Sequence, residues 1–461
     1  MLKMQGTRHV LRAGLLSIFM ILLLVGLPVR AQGPFVETDI VILYEFEGEA
    51  IGDAYGWVGA NLNDLDGDGV ADFATTAPFY GGSSANGKIY VYSGSDGSLL
   101  NEATGVEGNR LGYSISGAGD VNGDGHPDYI VGGAGSANRI VVYSGIDHTV
   151  LHDVTTPSDT PENFGSGVAG AGDVDGDGHA DLLVGANRAD VSETVTDTGR
   201  IYLLSGLDGS VIWQQNGTAP QGLLGSGIGL VGDINGDDVP DQVAAAPGAG
   251  ESGMGEAYVY SGVDGSVLLT LQPLEEPTSG GTFGTFFAAG AGDVDADGTP
   301  DIFVGDYNAY RGDAQGTGRA YVYSGVDGTA IHTFEAEADG DGLGPGRGIP
   351  DVNGDGHADL AIAAWQSSAG MPTAGKVYIY SGQDGATLHT ATGTIEGDAL
   401  GVDALAIGDL NDDGQMEYML TSVGNDFNGT DVGRIYIVTF AAPAADVTMQ
   451  PLLGGCQPIQ P

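Results

Sequence analysis

The sequence predicts an all-β fold, a seven-bladed β-propeller made of four-stranded antiparallel blades. Three observations predict it. First, an acidic nine-residue motif occurs seven times. Second, each copy lies in a unit of short strand-like segments, four in each of the first six units and three in the last. Third, one further strand-like segment stands alone near the N-terminus and can supply the strand that the last unit lacks. A motif that returns every 53 to 60 residues indicates a repeat architecture rather than independent domains.

The acidic motif has the form DVNGDGHPD in the copy at 120–128. A glycine-rich segment precedes each copy. After it come a short apolar run, an aromatic and β-branched strand such as KIYVY at 88–92, a turn such as Asp96-Gly97, and a closing run. Short strands, Asp-Gly turns and no helical periodicity are typical of one antiparallel blade, and seven blades arranged radially form a propeller. The seven copies begin at Asp64, Asp120, Asp173, Asp233, Asp293, Asp351 and Asp409.

The two ends of the repeat region predict how the ring closes. The seventh unit ends with the strand-like segment 434–440 and continues into a Pro/Ala-rich stretch without a fourth strand. The segment DIVILYEF at 39–46 stands alone ahead of the first acidic motif. We therefore expect this N-terminal strand to complete the last blade.

The termini predict export and a short extension. Residues 1–31 combine basic residues (Lys3, Arg8, Arg12), an apolar stretch at 13–27 and small residues before a cleavage position, which is the pattern of a signal peptide. We expect a secreted, cell-surface or periplasmic protein with its propeller at 32–440 and a flexible C-terminal tail at 441–461. The single cysteine, Cys456, lies in that tail, so we expect no internal disulfide.

Composition excludes several classes of protein. The formal net charge is −48, and a surface this negative repels the phosphates of nucleic acid. A disordered acidic chain would be poor in apolar residues, but 41% of these residues are hydrophobic. Positions 1, 3, 5 and 9 of the seven motifs hold 24 of the 62 acidic residues, so the motifs account for much of the charge.

The spacing of oxygen donors in the motif predicts calcium binding, with up to seven ions, one per blade. Carboxylates or carboxamides occupy positions 1, 3, 5 and 9, position 7 offers a backbone carbonyl, and Ca²⁺ takes six to eight oxygen ligands. The predicted ligands are, copy by copy, Asp64, Asp66, Asp68, Val70 and Asp72; Asp120, Asn122, Asp124, His126 and Asp128; Asp173, Asp175, Asp177, His179 and Asp181; Asp233, Asn235, Asp237, Val239 and Asp241; Asp293, Asp295, Asp297, Thr299 and Asp301; Asp351, Asn353, Asp355, His357 and Asp359; Asp409, Asn411, Asp413, Gln415 and Glu417.

Two other interpretations of the motif can be weighed from the residues. An EF-hand needs a bidentate Glu at position 12, where this chain has residues such as Thr75, Val131 and Leu420, so the EF-hand interpretation fails. Plain turns without metal would leave closely spaced carboxylates to repel one another. The three histidines at position 7 are expected to point their side chains to solvent. The fourth copy has Asp238 where Gly is expected, and the seventh ends in Glu417 rather than Asp.

Motifs around the acidic segments carry a family resemblance. An FG element occurs as Phe164-Gly165 and, with Leu, as Leu111-Gly112, and a GAP element survives as Ala246-Pro247-Gly248. Over about 39–440 the chain resembles FG-GAP repeat proteins and is similar to the seven-bladed propeller of integrin alpha subunits. The resemblance implies calcium in the hairpin between the first two strands of each blade, but it does not imply a particular ligand.

We therefore expect a secreted calcium-binding propeller that acts as a non-catalytic binding or adhesion scaffold for an extracellular protein or glycan ligand. We also expect a monomeric propeller with no transmembrane segment after signal cleavage. The alternative is an extracellular polysaccharide-active hydrolase or lyase that uses carboxylates at the propeller channel. The tripeptide Arg311-Gly312-Asp313 is interpreted as a coincidence of composition, and Asn216 and Asn428 fit the glycosylation acceptor pattern.

Overall fold

Twenty-eight β-strands make up most of the regular structure in the computed structural model. The model describes residues 33–135, 138–158, 162–274, 282–309, 316–424 and 432–441. Two short 3₁₀ turns, Gly82–Ser84 and Glu251–Gly253, also lie within these residues.

In chain order the strands are β1 (Ile40–Glu47), β2 (Gly59–Asn63), β3 (Asp72–Ala77), β4 (Lys88–Tyr92), β5 (Leu99–Thr104), β6 (Leu111–Gly119), β7 (Asp128–Gly133), β8 (Arg139–Tyr143), β9 (Val150–Thr155), β10 (Phe164–Gly172), β11 (Asp181–Ala186), β12 (Arg200–Leu204), β13 (Val211–Asn216), β14 (Ile228–Gly232), β15 (Asp241–Ala246), β16 (Glu256–Tyr260), β17 (Val267–Leu271), β18 (Ala288–Gly292), β19 (Asp301–Asp306), β20 (Arg319–Tyr323), β21 (Ala330–Glu335), β22 (Leu343–Ile349), β23 (Asp359–Ala364), β24 (Lys376–Tyr380), β25 (Thr387–Thr392), β26 (Leu400–Gly408), β27 (Glu417–Ser422) and β28 (Arg434–Phe440).

The strands form seven four-stranded antiparallel sheets, which confirms the predicted seven-bladed propeller. Blades 1 to 6 each take four consecutive strands, from β2–β5 in blade 1 to β22–β25 in blade 6. The first strand of each blade lines the centre, and the fourth lies at the outer rim. In each blade, all residues of the second strand are buried, because each sheet packs between two neighbouring blades.

The N-terminal strand closes the ring as predicted. Blade 7 has the order β26, β27, β28, β1, with β1 pairing antiparallel to β28 from Ile40 opposite Phe440 to Glu47 opposite Arg434. The segment ahead of β1 is also anchored, since the buried ring of Phe35 lies edge-on to that of Tyr436, with their centroids 5.2 Å apart.

The FG element has a packing role at the start of the first strand. Phe164 begins β10 and is fully buried, and Gly165 has a left-handed backbone with φ of 88°. A Cβ atom at Gly165 would lie 2.8 Å from the carbonyl oxygen of Arg139 in the preceding blade. The glycine therefore allows adjacent blades to approach closely at the centre of the ring.

Deletion of residues 33–47 should destabilise the ring far more than the length of the segment suggests. The deletion exposes the edge of β28 and removes Phe35 together with Phe46, whose ring lies 4.3 Å from that of Tyr92 in blade 1. We expect a loss of more than about 3 kcal/mol in the free energy of unfolding, the scale of a large buried side chain. The measurement is urea unfolding followed by tryptophan fluorescence. Val41→Ser, at a residue of β1 that is 49% exposed, is the matched control and should unfold like the wild type.

Candidate metal centres and central channel

The seven acidic motifs form seven equivalent loops, named here acidic loops 1 to 7 after their blades. Each acidic loop connects the first strand of its blade to the second, as between β2 and β3 in blade 1. The acid at position 9 is the first residue of the second strand, as Asp72 is in β3. All first strands run in the same direction through the ring, so the seven acidic loops lie on one face of the propeller.

The backbone of each acidic loop winds around the carboxylate at position 1. In acidic loop 3, Oδ1 of Asp173 accepts the N–H groups of Gly176 and Asp177 at 2.8 and 3.0 Å, and Oδ2 accepts that of Gly178 at 3.0 Å. The position 6 amide donates to the position 1 carboxylate in all seven loops, at 2.7–3.0 Å. Oδ2 accepts a single N–H group and keeps a second lone pair, so these bonds orient the carboxylate and leave this oxygen able to bind a cation.

The acids at position 5 are held in the same way. In every acidic loop, the position 5 carboxylate accepts the position 7 amide at 2.8–3.0 Å, as Asp177 accepts from His179. In acidic loops 1 to 6 the position 3 oxygen likewise accepts the position 5 amide, at 2.8–3.2 Å, so the loop backbone itself fixes these side chains.

The acid at position 9 lies at the buried base of the loop. The Asp181 side chain is completely buried, with Oδ2 accepting the amide of Val174 at 2.8 Å and Oδ1 accepting the amide of Gly206 at 2.9 Å. Burial raises the pKa of the equivalent Asp72 and Asp301 to about 6. In acidic loop 7 the longer Glu417 makes the corresponding bond, with Oε2 accepting the amide of Leu410 at 2.6 Å, and burial raises the pKa of its carboxyl group as well.

Acidic side chains converge in three of the loops. In acidic loops 1, 3 and 5, three carboxylate oxygens lie within 4.8 Å of one another, and these are the loops with Asp at position 3. In acidic loops 2 and 6 the position 3 residue is Asn, whose amide donates to the position 5 carboxylate, as Asn122 does to Asp124 at 2.9 Å. The converging residues are Asp64, Asp66 and Asp72; Asp173, Asp175 and Asp181; and Asp293, Asp295 and Asp297.

The donor set fits a hard divalent cation. All side-chain donors at positions 1, 3, 5 and 9 are carboxylate or amide oxygens, which suit Ca²⁺ and Mg²⁺ rather than metals that prefer nitrogen or sulfur. The converging carboxylates come from one short loop with no intervening basic side chain. The residues present therefore fit the calcium expected from the sequence.

Two of the three position 7 histidines correct a sequence-based expectation. Nδ1 of His179 lies 2.8 Å from the carbonyl oxygen of Val121, and Nδ1 of His357 lies 2.7 Å from that of Val294. Since a carbonyl only accepts, each Nδ1 carries the proton. The prediction that these side chains point to solvent is wrong for His179 and His357, because each reaches the acidic loop of the preceding blade. The repeat alone does not reveal contacts between blades.

A cavity of about 660 Å³ lies at the centre of the ring and is lined by first-strand residues of all seven blades. Its rim carries aromatic side chains at the ends of the strands opposite the acidic loops. The Nε1 atom of Trp57 donates to the carbonyl oxygen of Tyr113 at 3.1 Å, and the Phe286 ring lies 6.3 Å from that of Trp57. Phe286 is 44% exposed and has a left-handed backbone with φ of 67°. We call this rim the aromatic mouth and define it by Trp57, Tyr113, Phe286, Tyr307 and Trp365.

The charged residues on the channel wall form an ion pair. Nη2 of Arg347 lies 2.5 Å from Oδ1 of Asp403, and Oδ2 of Asp403 accepts the amide of Gly59 at 3.0 Å. Among the described residues that line the cavity, Asp403 is the one that carries a carboxylate. The pair joins blades 6, 7 and 1 around the channel, and nothing in the sequence pattern indicated it.

Several sequence-based predictions fall outside the described residues. These are the signal peptide at 1–31, the tail at 442–461 with Cys456, the tripeptide at 311–313, and the acceptor asparagine Asn428. The other acceptor, Asn216, is exposed at the end of β13, where its side-chain oxygen accepts from Nε of Arg200 at 2.5 Å. The described part of the chain has no helix of the length and apolarity needed to cross a membrane.

Comparison with known families identifies the class of the repeats. The FG-GAP repeat model matches residues 55–92 and 164–204, and the FG-GAP-like repeat model matches 351–420. The first two matches run from the FG element through the acidic loop to the third strand of blades 1 and 3. The chain therefore carries FG-GAP repeats on a seven-bladed propeller, as the sequence predicted.

Similar individual proteins are integrin alpha subunits. The chain is 37% identical to mouse integrin alpha-IIb over 159 residues, which is 32% of this chain and 15% of that protein. It is 31% identical to Drosophila melanogaster integrin alpha-PS2 over 238 residues (48% and 16%), and 31% identical to chicken integrin alpha-V over 209 residues (43% and 20%). The matches thus span a fifth or less of these relatives, and the chain is an integrin alpha-like FG-GAP propeller.

Replacement of Asp238 by Gly should stabilise blade 4. Position 6 has a left-handed backbone in every acidic loop, and Asp238 adopts it with φ of 65°. Glycine has no steric cost in this region, so Asp238→Gly should raise the free energy of unfolding by about 0.5–1 kcal/mol. The matched change, Gly178→Ala in acidic loop 3, places a side chain at φ of 91° and should lower the free energy of unfolding. Urea unfolding of both variants in EGTA tests this, and equal midpoints for the two would contradict it.

Proposed function

We propose that this protein is a secreted, calcium-stabilised β-propeller that acts as a non-catalytic binding or adhesion scaffold. The observation that carries the proposal is the set of seven acidic loops, whose carboxylates at positions 1 and 5 are oriented by the backbone of the loop, with three carboxylates converging in each of acidic loops 1, 3 and 5. The proposed ligands in each loop are the side chains at positions 1, 3, 5 and 9 and the carbonyl at position 7.

The distribution of basic residues supports an external cation. Seven described Lys and Arg side chains form ion pairs, and none of these pairs includes an acid of an acidic loop. Six of the seven begin the third strand of a blade, at the opposite face of the ring from the acidic loops. None of these described ion pairs therefore offsets the negative charge of the loops, and a divalent ion is the partner that would offset it. The seven are Lys88, Arg139, Arg200, Arg319, Arg347, Lys376 and Arg434.

Bound calcium would stabilise more than the loop that holds it. The position 9 carboxylate also accepts an amide from the second residue after the third strand, as Asp181 does from Gly206. A cation at this carboxylate would hold the first, second and third strands of a blade together at one end. Disulfides hold strands together in this way in many exported domains. A calcium ion can take that role outside the cell, because calcium sites of extracellular modules are matched to the calcium concentrations found there.

The aromatic mouth supports binding of a protein or glycan ligand. Its rings are partly exposed around a cavity of about 660 Å³, a size typical of ligand pockets. Aromatic side chains at a partly exposed rim supply large contact area at little cost in entropy. Similarity to integrin alpha subunits supports an adhesive role. The channel carboxylate Asp403 is held by Arg347, so the geometry does not favour the alternative of an acid–base pair acting on polysaccharide.

Calcium removal should lower thermal stability strongly. At free calcium about 100-fold above the Kd, each occupied loop adds about 2.7 kcal/mol to the free energy of unfolding. We expect the melting temperature to fall markedly in excess EGTA and to recover when calcium is restored in excess. Differential scanning calorimetry measures this, with magnesium-only buffer as a comparison. An unchanged unfolding curve in EGTA would contradict calcium stabilisation.

Substitution at the aromatic mouth should weaken ligand binding without unfolding the ring. Phe286→Ala removes a ring that is 44% exposed, and Leu99→Ser changes an outer-rim residue that is 48% exposed. On a panel of immobilised glycans and matrix proteins, Phe286→Ala should bind about tenfold or more weakly than wild type, the scale of a central interface residue. Leu99→Ser is the control and should bind normally. Equal binding by Phe286→Ala, or no binding by the wild type to any member, would contradict the proposed site.

A further inference from the structure

In six of the seven blades, one glycine connects the acidic loop to the rest of the blade. This glycine is the second residue after the end of the third strand in blades 1 to 6, and its amide donates to Oδ1 of the position 9 acid at 2.9–3.0 Å. A Cβ at this glycine would lie 1.9–2.2 Å from the position 8 carbonyl oxygen, so only glycine fits. The six residues are Gly94, Gly145, Gly206, Gly262, Gly325 and Gly382.

The carbonyl group of the same glycine faces the preceding blade. At four junctions between blades, this carbonyl oxygen accepts a hydrogen bond from a side chain in the outer strand of the preceding blade. The donor side chain occupies the equivalent position of the outer strand in all four cases. Nε2 of His152 lies 2.6 Å from the carbonyl oxygen of Gly206, and Nε2 of His332 lies 2.6 Å from that of Gly382. Tyr44 and Trp213 make the corresponding bonds to Gly94 and Gly262 at 3.2 and 2.8 Å.

Two junctions add a second connection in the opposite direction, from acidic loop to acidic loop. Between blades 2 and 3, Nδ1 of His179 donates to the carbonyl of Val121 at 2.8 Å, and the amide of Ala180 donates to the carbonyl of Asp120 at 2.8 Å. Positions 7 and 8 of acidic loop 3 thus hold positions 1 and 2 of acidic loop 2.

The junction between blades 5 and 6 repeats this arrangement. Nδ1 of His357 donates to the carbonyl of Val294 at 2.7 Å, and the amide of Ala358 donates to that of Asp293 at 2.9 Å. Acidic loop 4 has Val239 and Pro240 at positions 7 and 8, which supply neither a ring nitrogen nor an N–H group for such bonds.

These contacts involve proposed calcium ligands in both acidic loops of a pair. Asp120 supplies the position 1 carboxylate of acidic loop 2, and the amide of Val121 donates to the position 9 acid Asp128 at 2.8 Å. His179 supplies the position 7 carbonyl of acidic loop 3. An ion that orders acidic loop 3 would fix His179 and Ala180, and these two would in turn fix the backbone that carries the first ligand of acidic loop 2.

We infer that acidic loops 2 and 3, and likewise acidic loops 5 and 6, bind cations as coupled pairs, in which occupancy of one loop raises the affinity of its partner. This inference rests on the proposed calcium binding. Coupling of this kind is reciprocal, so each loop of a pair affects the other by the same factor. Acidic loop 4 responds independently of acidic loop 3, because no hydrogen bond among the described residues joins these two acidic loops directly.

Hydrogen–deuterium exchange with mass spectrometry, recorded across a calcium titration of the full chain, resolves each loop separately. Asp124→Asn weakens acidic loop 2 by removing a charge at position 5 while keeping an oxygen that accepts the amide of His126. Asp237→Asn makes the same change in acidic loop 4, on the other side of blade 3. We expect Asp124→Asn to raise the calcium midpoint for protection of 173–181 by about fivefold or more, and Asp237→Asn to leave that midpoint unchanged.

A double-mutant cycle then tests the histidine as the positioning residue. In a His179→Ala background, where the bond from the Ala180 amide to the Asp120 carbonyl remains, Asp124→Asn should shift the midpoint of acidic loop 3 much less than in the wild type. In a His179→Asn background, whose amide nitrogen lies close to the place of Nδ1, the shift should return. A purely structural role of His179 would lower protection in both backgrounds without reducing the shift that Asp124→Asn causes.

The outcomes separate this inference from the proposed function. If calcium protects no acidic loop of the wild type, the proposed calcium binding fails. If calcium protects acidic loop 3 but Asp124→Asn and Asp237→Asn act alike on its midpoint, calcium binding stands and the pairing is overturned.

Discussion

The hydrogen bonds of the position 9 carboxylate are the interaction on which the rest of this propeller depends. One oxygen of this buried acid accepts an amide at the start of the acidic loop, and the other accepts the amide of the glycine after the third strand. A single carboxylate therefore connects the innermost turn of a blade to its third strand. The glycine is then placed so that its carbonyl group can receive a donor from the neighbouring blade.

Burying a carboxylate in this way has an electrostatic cost. Burial raises the pKa of Asp72 and Asp301 to about 6, because the amide bonds offset only part of the cost of desolvating the ionised group. A divalent ion beside the carboxylate would supply the missing compensation. The position 9 carboxylate would therefore serve both the hydrogen bonds that hold the blade together and the proposed calcium ion. The acids at positions 1, 3 and 5 would supply further oxygen ligands to that ion.

The sequence alone predicted the features that repeat. Seven copies of the acidic motif established the number of blades, and the lone strand ahead of the first motif established the closure that β1 makes with β28. The same periodicity located every acidic loop between a first and a second strand. These predictions succeed because local turn chemistry and strand patterning are written into each repeat in the same order.

The features that differ from blade to blade could not be predicted, because they depend on packing between units. His179 and His357 looked like variable residues at a backbone-ligand position, yet each bonds to the preceding acidic loop. The aromatic mouth and the Arg347–Asp403 pair come from residues far apart in the chain that meet only when the ring closes. The sequence did contain one signal for these two histidines. His152 and His332 occupy equivalent positions in the outer strands of blades 2 and 5, which are the blades that precede those of His179 and His357.

The most direct test of the central claim, that the acidic loops hold calcium, is to count the ions. Native mass spectrometry of the full chain, after calcium saturation and buffer exchange, gives the number bound to the folded ring. We expect a distribution that rises with calcium to seven ions, with Asp-to-Asn changes at position 5 lowering the maximum by one per loop altered. A folded protein that carries no specifically bound calcium under these conditions would contradict the claim.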